Sequence, residues 1–148
     1  MTPPESDKPY RIEEHSGDLR IVASGNDNLE ALANASTALL SQIVDPDSVS
    51  ATEQRPIRVS GDDETARIIG FLNELIYLVD AERWIPARVT RLATCGKSGC
   101  RALEAVLVGE PLDPGRHKLR YDVKAVTYHE FSIETGSDET TVTFICDL

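Results

Sequence analysis

Asp63-Glu64-Thr65-Ala66-Arg67-Ile68-Ile69-Gly70-Phe71-Leu72-Asn73-Glu74-Leu75-Ile76-Tyr77-Leu78-Val79-Asp80 is the stretch on which the fold class turns. Ile68, Ile69, Leu72, Leu75, Ile76 and Val79 recur at the spacing that stacks side chains on one helical face, and Phe71, Tyr77 and Leu78 widen that face. Ser60-Gly61-Asp62-Asp63-Glu64 places side-chain acceptors and negative charge at the unpaired N–H groups of a helix start. The spacing predicts a helix over 63–80, apolar enough to be the central one.

Upstream, Leu29, Leu32, Ala33, Ser36, Leu39, Leu40 and Ile43 predict a first helix over 28–43, with Asp27 and Glu30 spaced as a capping box. Asp45-Pro46-Asp47 ends it, because the residue before proline avoids the helical region. Ahead of that helix, Tyr10 to Ser24 reads as two strands around a bend at His15-Ser16-Gly17-Asp18, and a further strand carries Ile57 and Val59. From Trp84 onward no helical period remains. Runs at 84–92, 103–107, 119–128, 131–135 and 141–146 suit strands, separated by Gly96-Lys97-Ser98-Gly99, Asp113-Pro114-Gly115 and Gly136-Ser137-Asp138. The expectation is an α+β fold, a single domain whose mostly antiparallel sheet carries two amphipathic helices. Residues 1–8, polar and proline-rich, read as a disordered tail ahead of a domain over 9–148.

The chain has 148 residues and a formal net charge of −10. Independent nucleic-acid binding is not expected from such a balance, since the phosphate-backbone term depends on clustered Lys and Arg. No apolar run reaches the roughly 20 residues of a membrane span, and the tail has no signal-peptide pattern, so a cytoplasmic protein is expected. Three cysteines, an odd number, fit reduced thiols there better than a disulfide framework. Cys95 and Cys100 are read as thiols flanking a hairpin, because a structural zinc needs four ligands and no second pair exists. Gly96-Lys97-Ser98 lacks the earlier glycine and the following helix of a phosphate loop.

Lys124-Ala125-Val126-Thr127-Tyr128-His129 combines a lysine, a hydroxyl, a phenol and an imidazole. Alternation from Leu119 places Leu119, Tyr121, Val123, Ala125 and Thr127 on one strand face, with Lys124 and Tyr128 together on the other and His129 at the strand end. An exposed strand lysine is also a common device against edge pairing. His117 lies in a polar turn with no partner evident. Asp18 in a tight turn and Asp147 at the end of an apolar terminal strand are hard oxygen donors, and with the main-chain oxygen of Leu148 they could hold Mg²⁺, Mn²⁺ or Ca²⁺. Turn aspartates, however, more often serve the local backbone.

Taken in order, His15-Ser16-Gly17-Asp18-Leu19, Phe71-Leu72-Asn73-Glu74-Leu75-Ile76-Tyr77, Gly109-Glu110, Lys124 to His129 and Asp147-Leu148 resemble the archease family from about Tyr10 to Leu148. The resemblance implies a non-enzymatic protein cofactor of the RtcB-type RNA ligase, which joins RNA ends in tRNA splicing and RNA repair with GTP and a divalent metal. It implies promotion of ligase guanylylation and of multiple turnover. It also implies a divalent cation on Asp18, Asp147 and the main chain of Leu148, with Lys124 and His15 facing the partner or its nucleotide and Tyr128 and His129 as structural support. The family's first motif more often reads His-Thr-Ala-Asp; Ser16 keeps the hydroxyl, and Gly17 is expected only to loosen the turn. Two other classes stay open on the residues: a stand-alone metal-dependent phosphohydrolase using the same carboxylates, and a general chaperone of nucleic-acid-processing proteins.

Overall fold

Asp27 and Asp63 both stand in extended backbone, and each side chain accepts a hydrogen bond from the backbone N–H three residues on, Glu30 and Ala66. Two of the donors that a helix start leaves unpaired are thereby satisfied. The helices that follow are α1 (Asn28–Ile43) and α2 (Glu64–Asp80). Glu30 reaches back to the N–H of Asn26 rather than to the cap itself, so the expected box closes one residue early. The computed structural model describes residues 8–95 and 98–148, and of His15 the backbone alone. Apart from Lys8 the expected tail lies outside the described residues, as do Gly96 and Lys97.

The strands are β1 (Tyr10–His15), β2 (Asp18–Gly25), β3 (Glu53–Ser60), β4 (Trp84–Thr94), β5 (Ala102–Pro111), β6 (Ala125–Val126), β7 (Ser132–Thr135) and β8 (Thr140–Asp147). A single 3₁₀ turn, Pro46–Ser48, follows α1. All named pairings are antiparallel, and they divide between two sheets. One has the order β1-β2-β8-β6 with β7 also on β8; the other has the order β3-β5-β4. The helices join them: α1 packs on β2 and β8 of the first sheet and β4 of the second, while α2 packs on β3, β4 and β5 and on β6. Phe71, Leu72 and Leu75 of α2 are fully buried beside Leu39 of α1, Ile21 and Phe144 of the first sheet and Leu107 of the second. Tyr77, expected on the apolar face, instead points outward and is half-exposed.

Three expectations need correction. The strand over 119–128 shrinks to Ala125–Val126. The N–H groups of Arg120 and Tyr121 bond the carbonyls of Ile43 and Gln42, which the end of α1 leaves free, so this backbone caps a helix instead of extending a ladder. The expected faces dissolve with it: Leu119 and Tyr121 are exposed while Val123 and Val126 are buried. Cys95 and Cys100 are paired as a disulfide, because the β4–β5 hairpin sets their Cα atoms 5.8 Å apart, within bridging range. Cys146 is the free thiol among the described residues, and it is buried. Finally, His117 has partners on both ring nitrogens: Nδ1 accepts from the N–H of Asp113 at 2.9 Å, and Nε2 lies 3.1 Å from Glu110.

Candidate metal-binding tip

One end of the first sheet collects most of the residues that the sequence singled out. The turn from β1 to β2 has only two residues, Ser16 and Gly17, with φ of 51° and 88°. Positive φ at both positions matches the right-handed twist of the strands it joins, so Gly17 supplies a required conformation and does more than loosen the turn. The turn closes on the pair His15 and Asp18, which makes Asp18 the first residue of β2. Leu19 pairs with Cys146, so the register carried one residue further sets Asp18 against Asp147. On the other side of β8, Ala125 pairs with Asp147, and the N–H of Lys124 bonds the Asp147 carbonyl at 2.8 Å.

Asp18, Asp147, Leu148 and Lys124 therefore converge, although they are up to 130 residues apart in sequence. The N–H of Leu148 donates to Asp18 Oδ1 at 3.4 Å, which ties the terminal residue to the turn. Asp18 and Asp147 are both half-buried. Cys146, which precedes Asp147 on β8 and is buried, has its thiol pushed up to about 12 by burial first and then by the two carboxylates. Two carboxylates and a main-chain oxygen form a hard donor set that fits Mg²⁺, Mn²⁺ or Ca²⁺ in kind. Among the described residues no group of three or more His, Cys, Asp or Glu side chains is assembled.

The other expected residues are placed less uniformly. Lys124 is exposed at the tip, and among the described residues no ion pair engages its side chain. The His15 side chain lies outside what the structure describes. Tyr128 is 64 % exposed and His129 Nε2 faces Glu130 at 3.7 Å, so the supporting role expected of them has no packing behind it. Phe131, packed on the core, anchors that turn instead.

Two constellations escaped the sequence reading. On α2, the Asn73 carboxamide bonds both backbone groups of Val126, Nδ2 to its oxygen at 2.9 Å and Oδ1 to its N–H at 2.8 Å. An amide four residues after Ile69 and three before Ile76 on a buried helical face was the available signal. Away from the tip, Glu110 is buried and bound by Arg116 through both guanidinium nitrogens, by the N–H of Ser50 and by His117. The Arg116 guanidinium, then the Ser50 N–H and the imidazole, hold its carboxyl down to about 2. Gly109 beside it allows a close crossing, since a Cβ there would collide with the Ile85 carbonyl oxygen.

The chain matches the Archease protein family (MTH1598/TM1083) over residues 10–148. Protein archease of Pyrococcus abyssi is 33 % identical over 125 residues, covering 84 % of this chain and 87 % of that one. The solution structure of Methanobacterium thermoautotrophicum protein 1598 superposes with a TM-score of 0.81 at 25 % identity, covering 95 % of this chain and 99 % of that one. The crystal structure of a Thermotoga maritima protein described as an archease, possible chaperone, superposes with a TM-score of 0.65 at 23 % identity over 100 % and 98 % of the two chains. With a fold, a length and a sequence shared along nearly its whole extent, this chain belongs to the archease family.

Proposed function

We infer that this protein is a non-enzymatic cofactor of a GTP-dependent RtcB-type RNA ligase, acting in the cytoplasm on the guanylylation and repeated turnover of that enzyme. One observation supports it above the rest: the sheet register brings Asp18, Asp147, Leu148 and Lys124 to one exposed end, although nothing in the core requires them there. A divalent cation held by Asp18, Asp147 and the Leu148 main chain would supply charge neutralisation to phosphate groups. Asp18 and Asp147 orient that charge toward the partner. Lys124, whose backbone is held beside Asp147, adds an ammonium that a partner's phosphate groups would meet, and such charge is most effective in a water-poor interface. The incompleteness of the donor set is in keeping with a site finished by another protein or its nucleotide.

The test is guanylylation of the cognate ligase at multiple turnover with wild type, Asp18→Ala and Asp147→Ala. Stimulation by wild type and its loss in both folded variants is the expected result; undiminished stimulation by the variants would sink the assignment of the tip. A chaperone reading draws on the description of the Thermotoga maritima relative. It predicts suppression of aggregation in unrelated clients that is indifferent to both substitutions.

A further inference from the structure

We propose that Asn73 is a positioning residue of the tip, holding Lys124 against Asp147 by completing the free edge of β6. β6 is the last strand of its sheet and only two residues long, so one side of it has no strand to pair with. On its inner side the segment is held to β8 by the bonds from Lys124 N–H to Asp147 and from Thr127 N–H to Ile145, at 2.8 and 3.3 Å. Val126 turns its N–H and carbonyl the other way, toward α2. A carboxamide offers one donor and one acceptor, the same pair a neighbouring strand residue presents, and Asn73 gives both to Val126.

The consequence is a mechanical link. α2 is anchored by fully buried Phe71, Leu72 and Leu75, so Asn73 extends from one of the most tightly packed parts of the molecule. The segment it holds has little regular structure of its own: residues 122–124 form no strand and Tyr128 to Glu130 is an exposed bend and turn, so beyond the buried Val123 and Val126 and the bonds to β8, the Asn73 amide is what fixes the outer side of its backbone. Without the amide, Val126 would have to exchange two protein hydrogen bonds for water, and Lys124 two residues away would lose its fixed distance from Asp147. Serine, alanine or leucine at 73 could keep the helix, but none presents both groups at that reach.

This inference rests on the tip reading for its functional arm and stands alone in its structural arm. In Asn73→Ala, amide hydrogen exchange at Lys124 and Val126 is expected to rise by about tenfold or more while exchange in α2 and β8 is unchanged, as loss of two local bonds requires. Asn73→Asp keeps the acceptor and loses the donor, so Val126 N–H should retain intermediate protection. In the guanylylation assay, Asn73→Ala should reduce stimulation in the wild-type background and have no additional effect in a Lys124→Ala background, since its influence passes through that lysine. Unchanged exchange at Lys124 and Val126, or an equal fold-loss of stimulation in both backgrounds, overturns the proposal. Absence of stimulation by wild type would overturn the ligase reading while local loss of protection in Asn73→Ala still upheld the clamp.

Discussion

At the scale of single residues the tip turns on two carboxylates. Asp18 opens β2 and Asp147 closes β8, and the register that pairs Leu19 with Cys146, carried one residue further, sets them opposite one another, an arrangement in which like charges cost a sheet stability. Lys124 lies next to Asp147 through a backbone bond but stays exposed, so the two carboxylates are left as a place where a cation lowers the energy. This gives a test that needs no partner. The melting temperature of the wild type should rise on replacing EDTA with millimolar Ca²⁺, Mg²⁺ or Mn²⁺, since a ligand held 100-fold below its concentration contributes about 2.7 kcal/mol. Asp147→Asn should abolish that shift and, in EDTA, equal or exceed wild type by about 0.2–1 kcal/mol because the repulsion is gone. A variant that retains the full shift would remove Asp147 from the donor set.

At the scale of elements, Glu110 joins three segments that have no strand pairing among them: the end of β5, the turn holding Arg116 and His117, and the stretch at Ser50. Its carboxyl is held down to about 2 from 4.5, first by Arg116. A depressed folded value means the stabilisation is fully present above pH 4.5 and is lost as pH falls toward 2. Acid titration followed by circular dichroism should therefore show wild type and Glu110→Gln diverging above pH 4.5 and converging below it; parallel curves would show that the network does not carry acid stability. Of this cluster the sequence disclosed only the Gly109-Glu110 pair, and His117 looked partnerless, because its partners, the N–H of Asp113 and the carboxylate of Glu110, are brought to it by how the turn after β5 folds back, which no periodicity announces. The helices were legible to within a residue, since capping and 3.6-residue periodicity are local. The stretch 119–128 was misread for the opposite reason. Alternation there mimics a strand, but its N–H groups are taken by the carbonyls at the end of α1, which no local pattern announces. Asn73 belongs to the same class of misreading: its amide is visible, its partner is not.

At the scale of the whole molecule, charge and topology act together. The net charge is −10, and the tip adds two carboxylates to a surface on which Asp80 is pushed up by burial and then by the neighbouring Asp122 charge. The alternation of helices and two sheets explains why the tip could be anticipated only as a list of residues: it is assembled by β2, β6 and β8, whose order in space differs from their order in sequence. An acidic body of this kind is drawn to a basic surface over roughly the Debye length, about 10 Å at 0.1 M salt. The concentration of this protein giving half-maximal ligase stimulation should therefore rise as salt is raised from about 0.05 to 0.5 M, while stimulation at saturation changes little, because steering affects encounter more than the bound complex. Indifference to salt would mean that contact is made by shape and apolar surface. A fall in the required concentration would mean that the partner face is acidic, and would shift the recognising role from the carboxylates to Lys124.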